Sequence, residues 1–163
     1  MIIVADSSPF VVLLSVDHVD VLAAVFLEVV IPPQVQAELA SPKRSEAVRA
    51  FIAAPPSWLR VVSPTSIEPI EGLHVGESAA ISLARELRAD RIVIDERLGR
   101  RAASERGLHV IGTVGVLEAA AERDFLDLGD AFEKVKRTDF WVSPSFFDER
   151  LALFLAKRHS KNT

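Results

Sequence analysis

The stretch GESAAISLARELRADRIVIDERLGRR, residues Gly76–Arg101, decides how this 163-residue chain is read. Between Ser78 and Leu87 the residues Ala80, Ile81, Ala84 and Leu87 recur at steps of three and four, the spacing of one face of an amphipathic helix. Arg91-Ile92-Val93-Ile94 then forms a short β-branched run of the kind buried in a parallel sheet, and it stops abruptly at Asp95 and Glu96. Glu77 falls in the first turn of the helix, where the dipole favours a carboxylate, so position alone is met equally by a helix-start charge and by a functional acid. Acids at the carboxyl end of a strand, by contrast, face the crevice in which open α/β sheets bind their ligands.

The N-terminus has the same design. Ile2-Ile3-Val4-Ala5 is a buried apolar run that halts at Asp6 and is followed by Ser7, Ser8 and Pro9. Asp6 and Asp95 therefore converge if their strands are neighbours, a condition that the pattern itself leaves open.

Outward from these two stretches, helical and strand signals alternate. Ser8-Pro9 reads as an N-cap and first helical residue leading into Phe10–Leu14, and Asp17 as the cap of a short helix from His18 to Phe26. Glu28–Ile31 returns to strand character before Pro32-Pro33 opens a third helix, in which Val35 and Leu39 share a face. Glu38 lies near the end of that helix, where the dipole does not favour an acid; a solvated surface glutamate is its simplest reading from position. Residues 44–54 read as a helix, 58–62 as a strand, and 63–75 as a loop placed to cover the site. Arg97–Arg106 reads as a helix closed by Gly107, Leu108–Ile111 as a strand, Gly112-Thr113 as a turn and cap, and Val114–Arg123 as a helix. The C-terminal third is mainly helical with an interruption at Phe140–Pro144, and its basic tail, Lys157–Lys161, is expected to fray.

Composition narrows the chemistry. A hydrophobic content of 49% suffices for one domain with a full core, and the lack of cysteine excludes disulfides and thiolate metal sites. No segment has the pattern of a secretion signal or the length of a membrane span, so a soluble, cytoplasmic protein without membrane association is expected. A net charge of −4 gives no global attraction for nucleic acid, which leaves local basic clusters or bound cations to supply it. His18, His74, His109 and His159 lack metal-ligand spacing and read as structural or surface residues. There is no G-x-S-x-G elbow, Walker A loop or G-x-G-x-x-G loop.

As an ordered set, Ile3-Val4-Ala5-Asp6-Ser7-Ser8-Pro9, Ile31–Leu39, Gly76–Ile81 and Ile94-Asp95-Glu96-Arg97 closely resemble the PIN-domain nucleases. The continuation Gly99-Arg100-Arg101 through Gly107–Leu117 resembles, more narrowly, the PIN-like group related to VapC toxins. The resemblance covers roughly residues 1–125 and implies a three-layer α/β fold. Its central parallel sheet would have order 3-2-1-4-5, flanked by helices, which makes the first and fourth strands neighbours. Residues 126–163 are then a helical C-terminal extension packed on the same domain. Carried over by motif, the family's acidic quartet falls on Asp6, Glu38, Glu77 and Asp95. Glu77 stands where most PIN nucleases have an aspartate, and Glu96 stands where the subgroup commonly has a second aspartate.

Four carboxylates in one crevice repel each other unless they take up protons or hold a cation. Oxygen ligands without cysteine or paired histidines suit Mg²⁺ or Mn²⁺ rather than zinc. Asp6, Asp95 and Glu77 are the expected metal ligands, with Glu38 completing the catalytic set. Ser7, Glu96 and Thr113 are candidates for the surrounding shell, although turn and cap roles account for Ser7 and Thr113 equally well. Arg97, Arg100 and Arg101 begin beside Asp95 and are candidates for phosphate contact, against the alternative of a solvated helix face. The resemblance implies a metal-dependent endoribonuclease of the VapC-like toxin type, a homodimer acting on RNA and restrained by a cognate antitoxin. The alternative is a PIN-like module that binds RNA or a protein without cutting.

Overall fold

A computed structural model describes residues 1–140 and 142–162 of the chain. Five short strands, β1 (Ile3–Ala5), β2 (Val29–Ile31), β3 (Leu59–Val61), β4 (Arg91–Val93) and β5 (Val110–Ile111), form one parallel sheet of order β3-β2-β1-β4-β5. This is the expected order, and it makes β1 and β4 hydrogen-bonded neighbours with Val4 opposite Ile92 and Ala5 opposite Val93. All three residues of β1 and of β2 are buried, so both faces of the sheet centre are covered; this explains why these strands read as continuous apolar runs rather than alternating ones.

The covering helices are α1 (Ser7–Ser15), α2 (Val21–Phe26), α3 (Pro33–Leu39), α4 (Glu46–Ala53), α5 (Val75–Glu86), α6 (Arg97–Glu105), α7 (Thr113–Glu122), α8 (Leu128–Lys136) and α9 (Pro144–Lys161). Helix α5 lies on β1 and β4 and packs on α3, while α2 packs on α7. Among the described residues, no helix is long and apolar enough to cross a membrane.

Several boundaries differ from expectation for identifiable reasons. Helix α1 starts two residues early, at Ser7 with Asp6 as its cap residue, so Pro9 is third rather than first in the helix. Asp17 does not cap α2. It adopts a left-handed backbone (φ 57°) that closes α1, with its N–H donating to Leu14 O and that of His18 to Leu13 O. Helix α2 accordingly waits until Val21. The same closure at Gly107 (φ +77°) ends α6 as expected, but there the Leu108 N–H donates to Ala103 O, which delays β5 to Val110. The loop from Ser63 to His74 runs along α5 and reaches the carboxylates at its last residue, His74, which lines their cleft. Thr65 donates to Glu86, and the backbone N–H groups of Glu68 and Ile70 donate to Ser82 and Ser78, which straps the loop along α5. The basic tail is the last part of α9 rather than a frayed end, with Arg158 paired to Asp124. Within the expected interruption at 140–144, Trp141 lies outside the described residues.

The C-terminal helices share the core. Phe132 of α8 and Phe147 of α9 are each 1% exposed, and their rings meet at 5.0 Å between centroids. Phe147→Ala is therefore expected to cost about 3–5 kcal/mol of stability while leaving a single cooperative urea transition. A transition that splits in two would show α8 and α9 folding apart from the sheet.

Candidate active site

The register of β1 with β4 puts the two strand-terminal aspartates side by side. The chain leaves β1 at Asp6, whose N–H donates to Val93 O at 2.9 Å, and leaves β4 through Ile94 to Asp95. Two glutamates approach from the flanking helices. Glu38 comes from the last turn of α3, and Glu77 from the first turn of α5, where it accepts the His74 N–H at 2.9 Å and closes the helix start. The helix-start role and the site role of Glu77 thus coexist in one side chain. Glu38 is not a free surface acid: its two oxygens accept from Ser7 Oγ (2.9 Å) and from the Gly76 N–H (3.2 Å). A side chain at Gly76 would collide with that carboxylate.

Asp95 is held most firmly. The Thr113 N–H donates to Oδ1 at 2.7 Å and the Thr113 hydroxyl to Oδ2 at 2.6 Å, with a long bond from Ser8 Oγ at 3.5 Å. Thr113 is fully buried, so this double contact fixes the plane of the carboxylate. Asp6 is the contrasting case. It is 3% exposed, and its Oδ1 has no hydrogen-bond partner. A buried polar oxygen without a partner is costly and unusual in folded proteins.

The electrostatics follow from this enclosure. Burial, with smaller contributions from Glu77, Glu38 and Asp95, pushes the Asp6 carboxyl up from an ordinary 3.8 to about 7. Burial also raises Glu77, helped by Glu96 and Glu38. Burial raises Asp95 against the lowering effect of its Thr113 bonds and the nearby Arg100 charge. Among the described residues, no three acids or histidines are gathered closely enough to ligate one ion in this arrangement, because internal hydrogen bonds hold Glu38, Glu77 and Asp95 at separate stations. The orphaned Asp6 Oδ1, on a carboxylate that feels three further carboxylates and has oxygen donors only around it, nevertheless fits a hard divalent cation.

The remaining expected residues separate into distinct roles. Ser7 positions Glu38, and Thr113 positions Asp95. Glu96 caps α6 by accepting the Gly99 N–H at 3.0 Å while lining the cleft beside Glu77. Arg100 folds back to donate to Ile94 O at 3.0 Å next to Asp95. Arg101 pairs with Glu105 on the exposed side of α6, and Arg97 is exposed in the helix's first turn. Sequence reasoning passed over Lys43, Arg44 and His74, which line the same cleft as Asp6, Glu38 and Glu77. Lys43 and Arg44 follow Ser41-Pro42 just past α3, so the only signal was two basic residues after a helix that carries a site acid.

With this geometry in place, comparisons with known proteins agree on the frame. The PIN domain family model matches residues 2–155. A PilT N-terminus domain protein from the hyperthermophilic archaeon Sulfolobus solfataricus P2 superposes with a TM-score of 0.58 at 20% sequence identity, covering 75% of this chain and 95% of that one. At that identity the likeness shows a shared fold. Comparison with proteins of curated function finds no match.

The raised Asp6 carboxyl makes stability depend on pH. In the metal-free protein the unfolded chain releases this proton near 3.8 and the folded chain near 7, so Asp6 contributes a stability loss that grows between those values and is constant above them. Asp6→Asn is expected to raise the urea midpoint relative to wild type at pH 8, with the advantage shrinking toward pH 4. Parallel midpoint curves for the two proteins across that range would show that Asp6 ionises normally.

Proposed function

The chain belongs to the PIN domain family, whose members are commonly nucleases and generally use divalent metal ions, and from that premise we propose that it is a metal-dependent endoribonuclease. One observation carries the proposal: a buried Asp6 carboxylate with an unpartnered oxygen stands within the electrostatic reach of Glu38, Glu77 and Asp95, at the carboxyl ends of adjacent parallel strands that carry the two aspartates.

A bound Mg²⁺ or Mn²⁺ would supply an activated water and positive charge for the leaving oxygen of a phosphodiester. The chain's own residues do the rest. Asp6 offers its unshared Oδ1 and Thr113 keeps both oxygens of Asp95 in a fixed plane; these two and Glu77 are the residues proposed to hold the ion, which requires them to draw closer than their internal hydrogen bonds place them. Glu38, oriented by Ser7 and Gly76, is placed to accept a proton or to orient a water. Arg100 offsets charge beside Asp95. RNA is the proposed substrate, because unstacked single strands let a phosphate enter a carboxylate-lined cleft that a stiff duplex does not. The toxin role, with a cognate antitoxin, a homodimeric state and a cytoplasmic location, belongs to the same proposal and rests on the motif resemblance. The separate hydrogen-bonded stations of Glu38, Glu77 and Asp95 favour a second reading, in which the fold binds RNA or a protein without cutting.

Two measurements decide. Saturating Mn²⁺ at about a hundred times its Kd stabilises a native-state site by about 2.7 kcal/mol. For a chain of this size that raises Tm by roughly 5–10 °C. Asp6→Asn/Asp95→Asn should abolish the shift, and an equal shift in both proteins would place the ion elsewhere. Purified protein should also cut single-stranded or loop RNA internally, stop in EDTA, and slow by roughly a hundredfold or more in Asp95→Asn. Binding without cleavage in both metals would favour the non-catalytic reading.

A further inference from the structure

A second cleft of about 720 Å³ opens directly beside the carboxylates and shares Ser8, Arg44 and Glu96 with the acidic cleft and Asp95 with the site. Its walls are of two kinds. Val11 and Val12 of α1 and Phe140 and Val142 of the α8–α9 connection supply apolar surface, and Arg44 and Arg137 supply positive charge. The apolar wall is partly open to solvent, since Val11, Phe140 and Val142 are only half-buried.

The two arginines stand out because most others are committed. Arg60, Arg85, Arg101, Arg106, Arg150 and Arg158 are each paired with a carboxylate. Arg100 and Arg123 donate to backbone carbonyls. Among the described residues, the side chains of Arg44 and Arg137 make neither a hydrogen bond nor an ion pair, although Asp95, Glu96 and Asp139 line the same cleft. Two uncommitted guanidinium groups flanking an apolar, aromatic-bearing recess form a surface complementary to a flat apolar ring carried between negative charges. A nucleobase with its adjoining phosphates has that chemistry.

We infer that this cleft is a nucleotide-binding subsite: it takes one unpaired base of single-stranded RNA against Phe140, with the flanking phosphates on Arg44 and Arg137. The inference rests on the nuclease reading for its choice of ligand, and it adds where the strand runs. Arg44 lines both clefts, so a strand with one base in the recess passes the next phosphate over Arg44 toward Asp6, Glu38 and Glu77. Base preference is then set by the recess, away from the carboxylates. Arg44 and Arg137 thereby join Arg97, Arg100 and Arg101 as candidate phosphate contacts.

The test is binding in EDTA, which separates it from cleavage. The probes are a short single-stranded RNA carrying 2-aminopurine at one position and the same sugar-phosphate chain with that base removed. Wild type should hold the base-bearing RNA at least roughly fivefold tighter than the abasic one, with fluorescence quenched on binding, as expected for one stacked base. Phe140→Ala should erase that difference and leave the salt dependence unchanged. Arg44→Ala/Arg137→Ala should weaken both probes and lower the salt slope by about 1.4, two phosphate contacts at about 0.7 each. Because Phe140 also touches the core, Ser15→Glu serves as a second variant; Ser15 is an exposed residue at the cleft mouth, and a carboxylate there should weaken both probes without altering Tm. Equal affinity for the base-bearing and abasic probes would overturn the subsite, and so would a wild-type salt slope in the arginine variant. Either result would leave the metal and cleavage experiments standing, whereas a catalytically silent protein that passes the binding test would retain the subsite and lose the nuclease.

Discussion

The parallel pairing of β1 with β4 is the constraint on which the rest of the molecule depends. Its register sets Ala5 opposite Val93, so both strands run out at the same edge and deliver Asp6 and Asp95 to one crevice. A slip of one residue would move the buried Ile3, Val4 and Ala5 into the packing of the opposite faces, and the close fit of side chains on both sides of the sheet resists this. The hydrophobic core therefore fixes the acidic site: burying the strands brings the aspartates together whether or not their charges favour it.

Gathering four carboxylates opposes folding, and local structure offsets much of that cost. Thr113 gives Asp95 two short hydrogen bonds, Ser7 and Gly76 hold Glu38, and the start of α5 holds Glu77. These donors are residues at the first turns of α1, α5 and α7, where N–H groups lack intrahelical partners and the dipole favours negative charge. Small residues make the approach possible. A side chain at Gly112 would meet Arg100 Nη1 at 2.6 Å and Asp95 Oδ1 at 3.0 Å, so glycine is what lets Arg100 sit against that carboxylate. Asp6 alone receives no such compensation at Oδ1, and burial raises its carboxyl pKa against a single backbone bond from Ser7. A buried carboxylate oxygen without a partner is what a proton or a cation would satisfy, and the metal-dependent reading proposed above starts from it.

Positive charge is distributed with equal consequence. Ion pairs on the outer surface, such as Arg106 and Arg85 with Glu68, fasten the strap loop and helices to each other. Arg44 and Arg137 remain uncommitted on the side of the carboxylates where the α8–α9 connection builds an apolar wall. A protein of net charge −4 can therefore present a locally attractive path to a polyanion without a basic surface overall.

Much of this was legible in the sequence. The β-branched runs ending in Asp6 and Asp95 specified two buried strands and their carboxyl-end acids, because burial on both faces demands continuous apolar residues and a charge ends such a run. Gly107 marked a helix end through local backbone chemistry alone. Motif resemblance supplied the strand order that periodicity could not, since alternation of helices and strands is the same for many sheet topologies. Only the tertiary structure decided what depends on distance across the chain. It showed that Glu38, an unremarkable acid by helix position, is held by Ser7 and Gly76 from 31 and 38 residues away. It turned Arg101 outward to Glu105 and drew Arg100 inward to Ile94 O, a choice set by helical rotation about a packed axis. It also brought Arg44 and Arg137, 93 positions apart, to one cleft beside Asp95, because a folded chain places side chains by packing and no local spacing encodes that proximity.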